Sequence, residues 1–324
     1  MRAMLEIRRA LRPWLKDLSN GTHLLLGVSG GADSMALAAG LIAECEAQFQ
    51  ANITPVVIDH GLQSGSAATT ALVKSRLLAM GYAKVEVVAI TVSVRDGMEA
   101  SARRARFEAF SQLVDRYQPK YFFLGHTRDD QAESVLLGLA RGSGTRSLSG
   151  MAIQNGVFVR PLLALTRDET VAACAEAQIE VWDDPHNHDP SYSRVRARRH
   201  VLPILEAELG PGISAALARS AQILREDADA LDAWAETVYS GLDPSDIPVS
   251  TLAELPKAVR IRVLRSAIYF LGAPSGTLTA EHLAPVEALI TDWKGQGVTS
   301  LPGGVKVARI SGRLSLLRLL PSSE

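Results

Sequence analysis

The sequence has little cysteine, little excess charge and no long apolar run. Its two cysteines, Cys45 and Cys174, lie far apart, which excludes a disulfide scaffold and a Cys-x-x-Cys motif. The formal net charge of −1 gives no global field that attracts nucleic acid, so a basic site has to be local. The longest apolar run, Met35 to Ala43, is too short to span a bilayer, and no signal-peptide cleavage site is present. We therefore expect a cytoplasmic protein with no membrane partner.

The pattern of hydrophobic residues predicts two domains. Hydrophobic residues make up 47% of the 324 residues, which is enough for a packed core. Strands and helices alternate in the first part, and this pattern predicts an α/β, doubly wound parallel sheet. The predicted strands are 23–26, 53–60, 84–92, 121–124 and 157–159, and the predicted helices include 67–80, 98–117, 129–140 and 166–177. A smaller helical domain with a short β element follows, with helices at 213–239, 252–271 and 279–293, a linker at 241–248 and hairpins in 298–319. We place the boundary between residues 1–210 and 211–324.

A glycine-rich turn at residues 27–34 joins the first strand to a helix. Free backbone N–H groups at a helix N-terminus and the close approach that glycine allows favour a bound phosphate. The turn lacks the Gly-Lys-Ser/Thr ending of the P-loop and the glycine spacing of the Rossmann motif. Asp33 would repel a phosphate unless a cation lies between them, which indicates Mg²⁺ on a pyrophosphate. The alternative is an ordinary turn. The candidate nucleotide-binding residues are Ser29, Gly30, Gly31, Ala32, Asp33 and Ser34.

Two further segments follow the next strands. Residues 59–62 end the second strand, where backbone groups and His60 are candidates to hold adenine, although a simple turn is an equal alternative. Arg103 and Arg106 share one face of the helix that follows. They are candidates to contact phosphate, but their residue types alone favour a solvated, salt-bridged face.

The segment 125–133 opens a helix after the fourth strand. Asp130 and Glu133 lie three residues apart and face the same way, at the edge of the sheet where Asp33 is expected. Acidic residues in a first helical turn are ordinary partners of the helix dipole, so this pattern alone does not prove a site. Three converging carboxylates need cations, either Mg²⁺ or a cationic substrate. His126 is a candidate to stabilise a phosphate or to pack.

A dense basic segment covers residues 192–200. Arg194, Arg196 and Arg198 accompany Tyr192, and such a set suits an RNA backbone and a stacked base. A solvated helix end is the alternative.

Together these segments resemble the tRNA(Ile)-lysidine synthetase family of N-type ATP pyrophosphatases. The resemblance covers about residues 23–205. The first of the following motifs marks only the superfamily, and the blocks at 129–133 and 187–203 are more specific. The matching motifs are Ser-Gly-Gly-Ala-Asp-Ser at 29–34, Asp-His-Gly-Leu at 59–62, Glu-Ala-Ser-Ala-Arg at 99–103, Asp-Asp-Gln-Ala-Glu at 129–133, Arg-Gly-Ser-Gly at 141–144, Arg-Pro-Leu-Leu at 160–163 and the segment 184–205.

The resemblance implies a fold like that of the adenine nucleotide alpha hydrolases, and a reaction. ATP adenylates the wobble cytidine of a CAU anticodon in tRNA(Ile), free lysine displaces AMP at C2, and pyrophosphate is the other product. Asp33 and Asp130 are then candidate Mg²⁺ ligands, and Asp130, Glu133 and His126 candidate catalytic residues. His60 and Arg103 belong with the ATP-binding residues.

The resemblance also implies a tRNA-binding role for the basic segment and for residues 211–324. Val195 and Phe107 depart from the family pattern, where Asn and Tyr are common. A homodimer is one open alternative for the assembly.

Three other functions stay open at this stage. An NAD or GMP synthetase shares the glycine-rich turn, a tRNA-thiolating relative would want paired cysteines, and a non-catalytic tRNA-binding protein would carry a degenerate turn. The specific motifs argue against an NAD or GMP synthetase. The separate cysteines argue against a thiolating enzyme, and the intact charges of the turn argue against a non-catalytic protein.

Overall fold

The computed structural model describes residues 2–48, 51–61, 65–93 and 98–318. Its contacts divide the chain into two compact units, Met1–Arg225 and Glu226–Glu324. The division falls inside a long helix, Ile213–Tyr239, whereas the sequence placed the boundary in the turn before that helix. Leu62 and Leu319, which belong to predicted segments, lie outside the described residues.

The first unit alternates strands and helices as the sequence predicts. It begins with α1 (Arg2–Leu15), and Ile7, Leu11 and Leu15 of this helix are buried. The remaining elements follow in chain order: β1 (His23–Val28), α2 (Ala32–Gln48), β2 (Asn52–Asp59), α3 (Ser66–Ala79), β3 (Glu86–Ala89), α4 (Met98–Tyr117), β4 (Tyr121–Leu124), α5 (Arg128–Ala140), α6 (Thr145–Leu148), β5 (Gln154–Asn155), β6 (Phe158–Val159), α7 (Arg167–Glu176), α8 (Ser193–Arg196), a π-helical turn (Ala197–Val201) and α9 (Leu202–Leu209).

The sheet of the first unit has six strands in the order β3-β2-β1-β4-β6-β5. All neighbouring strands are parallel except β5 and β6, which pair antiparallel at the edge. Leu24, Leu25 and Leu26 of β1 are completely buried, because helices cover both faces of a parallel sheet. The predicted doubly wound sheet is therefore confirmed, with an antiparallel edge hairpin in addition. The carboxyl ends of β1, β2 and β4 meet at one edge, which is where ligands bind in such folds.

The second unit contains helices and a four-stranded sheet. Its elements after α10 (Ile213–Tyr239) are β7 (Asp246–Pro248), α11 (Val249–Ala253), α12 (Lys257–Phe270), α13 (Ala280–Thr291), β8 (Thr299–Ser300), β9 (Val305–Ile310) and β10 (Arg313–Arg318). The strand order is β7-β10-β9-β8, and all pairs are antiparallel.

Two predictions for the second unit are wrong in detail. The predicted linker 241–248 contains the edge strand β7, because Ile247 is apolar and is fully buried in the core. The predicted helix 252–271 is two helices, since Pro256 cannot continue a helix and disfavours helical backbone in the residue before it.

No single helix among the described residues is long and apolar enough to cross a membrane. One bent pair, Ser193–Leu209 with Ile213–Tyr239, passes only when its two parts are taken together.

Candidate active site

The glycine-rich turn lies between β1 and α2, at the carboxyl edge of the sheet. Gly30 has φ +90°, and a Cβ there would lie 2.5 Å from Cγ2 of Val73. Gly125, at the end of β4, passes so close to the turn that its Cβ would lie 3.0 Å from the carbonyl carbon of Asp33. Both positions therefore require glycine. The Ser34 hydroxyl donates to Gly31 O at 3.0 Å and accepts from the Ser29 N–H at 3.2 Å, so the turn is held by its own side chain.

A cavity of about 710 Å³ opens above this turn, within the first unit. Most of the residues predicted from the sequence line it: Ser29, Gly31, Ala32, Asp33, Ser34, His60, His126, Asp130, Arg194 and Arg198. Gly30, Arg103, Glu133, Tyr192 and Arg196 are not among its lining residues. The predicted set is thus brought together around one cavity, with five members outside its wall.

Arg167 lies between two of the predicted carboxylates. Its Nε is 3.3 Å from Oδ2 of Asp33, and one of its terminal nitrogens is 3.2 Å from Oδ1 of Asp130. The Thr170 hydroxyl also contacts Oδ1 of Asp33. Burial raises the pKa of Asp33, and the charge of Asp130 adds to this, while Arg167 and Thr170 oppose it.

Asp130 is more strongly held than Asp33. Its Oδ2 accepts from the backbone N–H of Thr127 at 2.8 Å and from the Thr127 hydroxyl at 3.1 Å, which completes a capping box at the start of α5. Burial works against its charged form, while Arg167, the N–H of Thr127 and Arg198 favour that form, and the pKa of Asp130 lies below its ordinary value. Asp130 is therefore a fixed negative charge in the cavity wall.

Glu133 is completely buried one turn further along α5 and forms a bidentate ion pair with Arg198. The second contact, from a terminal nitrogen to Oε2, measures 3.1 Å, and Nε of Arg194 is 3.8 Å from the same oxygen. Arg198 belongs to the π-helical turn, and such turns are frequent at functional sites. Burial raises the pKa of Glu133, although Arg198 opposes this shift.

Several buried nitrogen atoms near the cavity have no hydrogen-bond partner among the described residues. They include Nδ1 of His60, Nδ1 of His126 and Nε of Arg106. Burial lowers the pKa of His126 to about 3, so its ring is neutral at pH 7. Burial, together with the charges of Arg103 and Arg194, lowers the pKa of Arg106 to about 10, and Arg106 stays charged at pH 7. These atoms offer donors and positive charge to an anion.

The basic segment divides into different roles. Arg194 and Arg198 face the cavity, whereas Arg196 donates to the carbonyls of Pro190 and Ser191 at 2.7 and 2.8 Å and thereby holds its own loop. Tyr192 packs edge-to-face on His186, with the ring centroids 5.6 Å apart. Val195, which departs from the family pattern, is buried and points away from solvent.

The α4 arginines also differ from the prediction. Arg106 lines the cavity, although its residue type suggested a solvated face, and Arg103 is exposed. Both guanidinium groups lie over the ring of Phe107, at 5.8 and 5.5 Å from its centroid. Phe107 therefore supports both cations through its aromatic face.

Sequence reasoning missed three residues of the site, Arg167, Thr170 and Trp182. The first two lie in the first turn of α7, where a capping box between Thr166 and Glu169 marks the helix start. A capping box that follows a strand of the sheet predicts a helix N-terminus at the carboxyl edge of that sheet. No such signal marks Trp182. Its backbone N–H donates to Gly30 O at 2.9 Å, and Trp182 also lines the cavity.

The residues fit a magnesium ion that is shared with phosphate. Among the described residues no three His, Cys, Asp or Glu side chains converge as a complete metal cage. Asp33 and Asp130 nevertheless contact the same guanidinium group, so a cation already lies between them. Mg²⁺ in nucleotide sites is typically held by one or two carboxylates together with phosphate oxygens and water. The donor set matches this arrangement.

Comparisons with known proteins agree with the fold. Residues 4–205 match the model of the PP-loop domain, and residues 247–315 match the TilS substrate binding domain. The tRNA(Ile)-lysidine synthase of Thermobifida fusca is 46% identical over 95% of this chain and 95% of its own length. The tRNA(Ile)-lysidine synthase of Streptomyces coelicolor is 48% identical over 90% of this chain and 84% of its own length.

One solved structure supports the fold alone. The U34-tRNA thiolase NcsA from Methanococcus maripaludis, solved with its [4Fe-4S] cluster, superposes with a TM-score of 0.57 at 17% identity, over 69% of this chain and 80% of its own. In the present chain Cys45 and Cys174 are both buried and unpaired.

Proposed function

Because the chain belongs to the tRNA(Ile)-lysidine synthase family, we propose that it is the ligase that uses ATP to attach lysine to C2 of the wobble cytidine of CAU-anticodon tRNA(Ile). The observation that carries this proposal is a single cavity with two kinds of wall. One wall is the glycine-rich turn, which suits a phosphate and carries Asp33. The other is Asp130 with Arg167, Arg194 and Arg198 around it. Such a cavity handles anions and cations together.

The turn and its neighbours bind and orient ATP. The backbone N–H groups of Gly31 and Ala32 lie at the start of α2, and the positive end of the helix dipole there favours the phosphates. The unpartnered nitrogens of His60 and His126 point to further contacts with the nucleotide. His126 is neutral at pH 7, so it donates a hydrogen bond without adding charge. Arg106 supplies charge at the same wall.

Mg²⁺, when bound by Asp33 and Asp130, would neutralise charge on the pyrophosphate leaving group. The remaining electrostatic work falls to the chain. Arg194 and Arg198 lie along the cavity, where they place positive charge near a polyanionic substrate. We assign the contacts with the anticodon to these two residues, and the positioning of their loop to Arg196.

Free lysine is the second substrate in this proposal. Its ammonium group needs a negative partner and must lose a proton before it attacks. Asp130 lies in the cavity wall and is charged at neutral pH, so it attracts the ammonium group through its charge while its Oδ1 is the oxygen assigned to Mg²⁺. Glu133 lies behind the wall with both oxygens on Arg198, so lysine reaches it only when Arg198 moves. A raised pKa suits Glu133 to accept a proton once it is released.

The second unit supports recognition of the rest of the tRNA. It contains the matched residues 247–315, and its sheet and helices form a separate core. Both tRNA(Ile) and elongator tRNA(Met) can present CAU, so discrimination between them requires contacts outside the anticodon. We place those contacts in the second unit.

The test is AMP release from labelled ATP in a two-by-two design, with and without lysine and with and without the CAU-anticodon tRNA(Ile). We expect rapid AMP release only when both are present, and formation of lysidine in the tRNA. Elongator tRNA(Met) is the matched control, because it shares the anticodon and is expected to give little product. AMP release that responds to a small molecule and not to tRNA would replace this proposal with a small-molecule synthetase.

A further inference from the structure

Arg167 occupies the place between Asp33 and Asp130 that a substrate cation needs. Its Nε and a terminal nitrogen lie 3.3 and 3.2 Å from the two carboxylates, and its side chain is 28% exposed to the cavity. The backbone of the residue is fixed independently, since its N–H donates to Oδ2 of Asp129 at 2.8 Å. The guanidinium group is therefore the part of Arg167 that can change partner while its backbone stays in place.

On each carboxylate, one oxygen is already engaged by a threonine. Oδ1 of Asp33 contacts the Thr170 hydroxyl, and Oδ2 of Asp130 accepts two hydrogen bonds from Thr127. The remaining oxygens, Oδ2 of Asp33 and Oδ1 of Asp130, both face Arg167, and Oδ1 of Asp130 also lies 3.6 Å from a terminal nitrogen of Arg198. A metal ion held by this pair would use the same oxygens. Arg167 and the metal thus compete for one position.

We propose that Arg167 is an internal counter-cation, which neutralises Asp33 and Asp130 in the ligand-free chain and yields its place to a divalent cation only when a polyphosphate arrives with it. The polyphosphate gives the released guanidinium group a new anionic partner, so the exchange keeps every charge paired. This inference rests on the proposed function, because it takes nucleotide as the polyphosphate. It makes the binding of metal and nucleotide mutually dependent.

The prediction for a metal alone is specific. A divalent cation without nucleotide has to displace Arg167 and leave it without a partner, so wild-type chain is expected to bind it weakly. Arg167→Gln removes the competitor, and we expect Mn²⁺ alone to bind about tenfold more tightly, while the gain in Mn²⁺ affinity that nucleotide provides shrinks by about the same factor. Arg141→Gln is the matched control, because Arg141 is an exposed arginine at the other end of α5.

The experiment measures Mn²⁺ binding to the full chain by electron paramagnetic resonance, with and without α,β-methylene ATP, which cannot release AMP. A pH of 8 favours the ionised form of both carboxylates. Association of Mn²⁺ with the analogue in free solution is identical for all variants and cancels when the gains in affinity are compared between them. Circular dichroism and thermal melting establish that each variant is folded.

The outcomes of this experiment separate the alternatives. Tighter Mn²⁺ binding and a reduced nucleotide gain in Arg167→Gln alone support the proposal, and an affinity equal to wild type overturns it. Arg167→Lys retains the charge and is expected to bind Mn²⁺ as weakly as wild type; if it binds as tightly as Arg167→Gln, charge competition is not the cause.

Should Arg167→Gln not fold, the Arg167→Lys variant is compared with wild type for the gain in Mn²⁺ affinity that nucleotide provides. Loss of that gain with the charge retained rejects the proposal. A chain that binds no analogue at all would instead refute the proposed function.

Discussion

Replacing Glu133 by glutamine removes a charge from a fully buried side chain and leaves Arg198 without its main partner. Glutamine keeps the size and part of the hydrogen bonding, so the loss is electrostatic and creates no cavity. Removing one partner of a buried ion pair costs about 3 to 5 kcal/mol. Arg198 keeps Asp130 at 3.6 Å, and its side chain is 26% exposed. We therefore expect the lower end, about 3 kcal/mol of unfolding free energy.

A double-mutant cycle with Arg198→Met separates the pair from its surroundings. Burial already raises the pKa of Glu133, and loss of Arg198 removes the main opposing contact, so the neutral carboxyl form is favoured and the single variant loses less, about 1 to 2 kcal/mol. The double variant is expected to lose at least about 1 kcal/mol less than the sum of the single variants. Urea unfolding followed by circular dichroism, analysed for the transition of the first unit, gives the four free energies. Effects that add within about 0.5 kcal/mol would refute a stabilising Glu133–Arg198 pair.

The same Glu133→Gln variant tests the use of lysine. If Glu133 receives lysine after Arg198 moves, adenylated tRNA still forms, and the concentration of lysine needed for its consumption rises by roughly ten- to a hundredfold, the effect of one lost charge-assisted hydrogen bond. A single-turnover reaction with labelled ATP, chased with increasing lysine, measures this step. Loss of the adenylate with an unchanged lysine dependence would assign Glu133 to the metal and nucleotide side of the cavity.

Three further predictions follow from the site. Burial raises the pKa of Asp33 in the folded chain. The contribution of Asp33 to folding stability is therefore present below its unfolded pKa and is lost as pH rises through its folded pKa. At pH 7 the Asp33→Asn variant should melt at or above the wild-type temperature but form no AMP. Gly30→Ala should lower the unfolding free energy measured in urea by about 2 kcal/mol and raise the KM for ATP. Adding Val73→Ala removes the clash but should restore only part of the lost stability, because φ of residue 30 stays positive. Arg106→Met should raise unfolding free energy by about 1 kcal/mol, since a buried cation is removed, while nucleotide affinity measured by calorimetry falls.

The fold was largely predictable because its signals are local. Residues 23–26 read as a buried strand, a glycine-rich turn follows at once, and an apolar helix begins within a few residues, so strand, turn and helix are all encoded within about a dozen positions; the observed strand extends to Val28. The edge pair Gln154–Asn155 and Phe158–Val159 was not fully predicted, because two-residue strands carry no periodicity. Pro256 shows the opposite case, where a single residue contained the correct signal and the longer helical pattern obscured it.

The charges of the site were predictable, but their partners were not. The sequence placed Asp33, Asp130 and Glu133 at one sheet edge and indicated that they need cations. Arg167 is 134 residues from Asp33, and Arg198 is 65 residues from Glu133, so no spacing rule connects them. The arginine-rich composition of residues 194–199 predicted a contact with RNA. In the structure, however, Arg198 forms an ion pair with the buried carboxylate of Glu133.

This internal pairing has a consequence for how the site receives its substrates. Three carboxylates, on Asp33, Asp130 and Glu133, are faced by guanidinium groups of Arg167 and Arg198, with Arg194 of the same basic segment at 3.8 Å from Glu133. Burying such charges without partners would cost several kcal/mol each, so the ligand-free site is stable only because the chain supplies both signs. ATP brings negative charge and lysine brings positive charge, and each can exchange with one member of an existing pair. In such a site the arginines can turn from the carboxylates to an incoming polyanion. The carboxylates that they leave can then bind an ammonium group. Binding of the first substrate would therefore prepare the place of the second, and lysine affinity measured with the ATP analogue present should exceed lysine affinity measured without it.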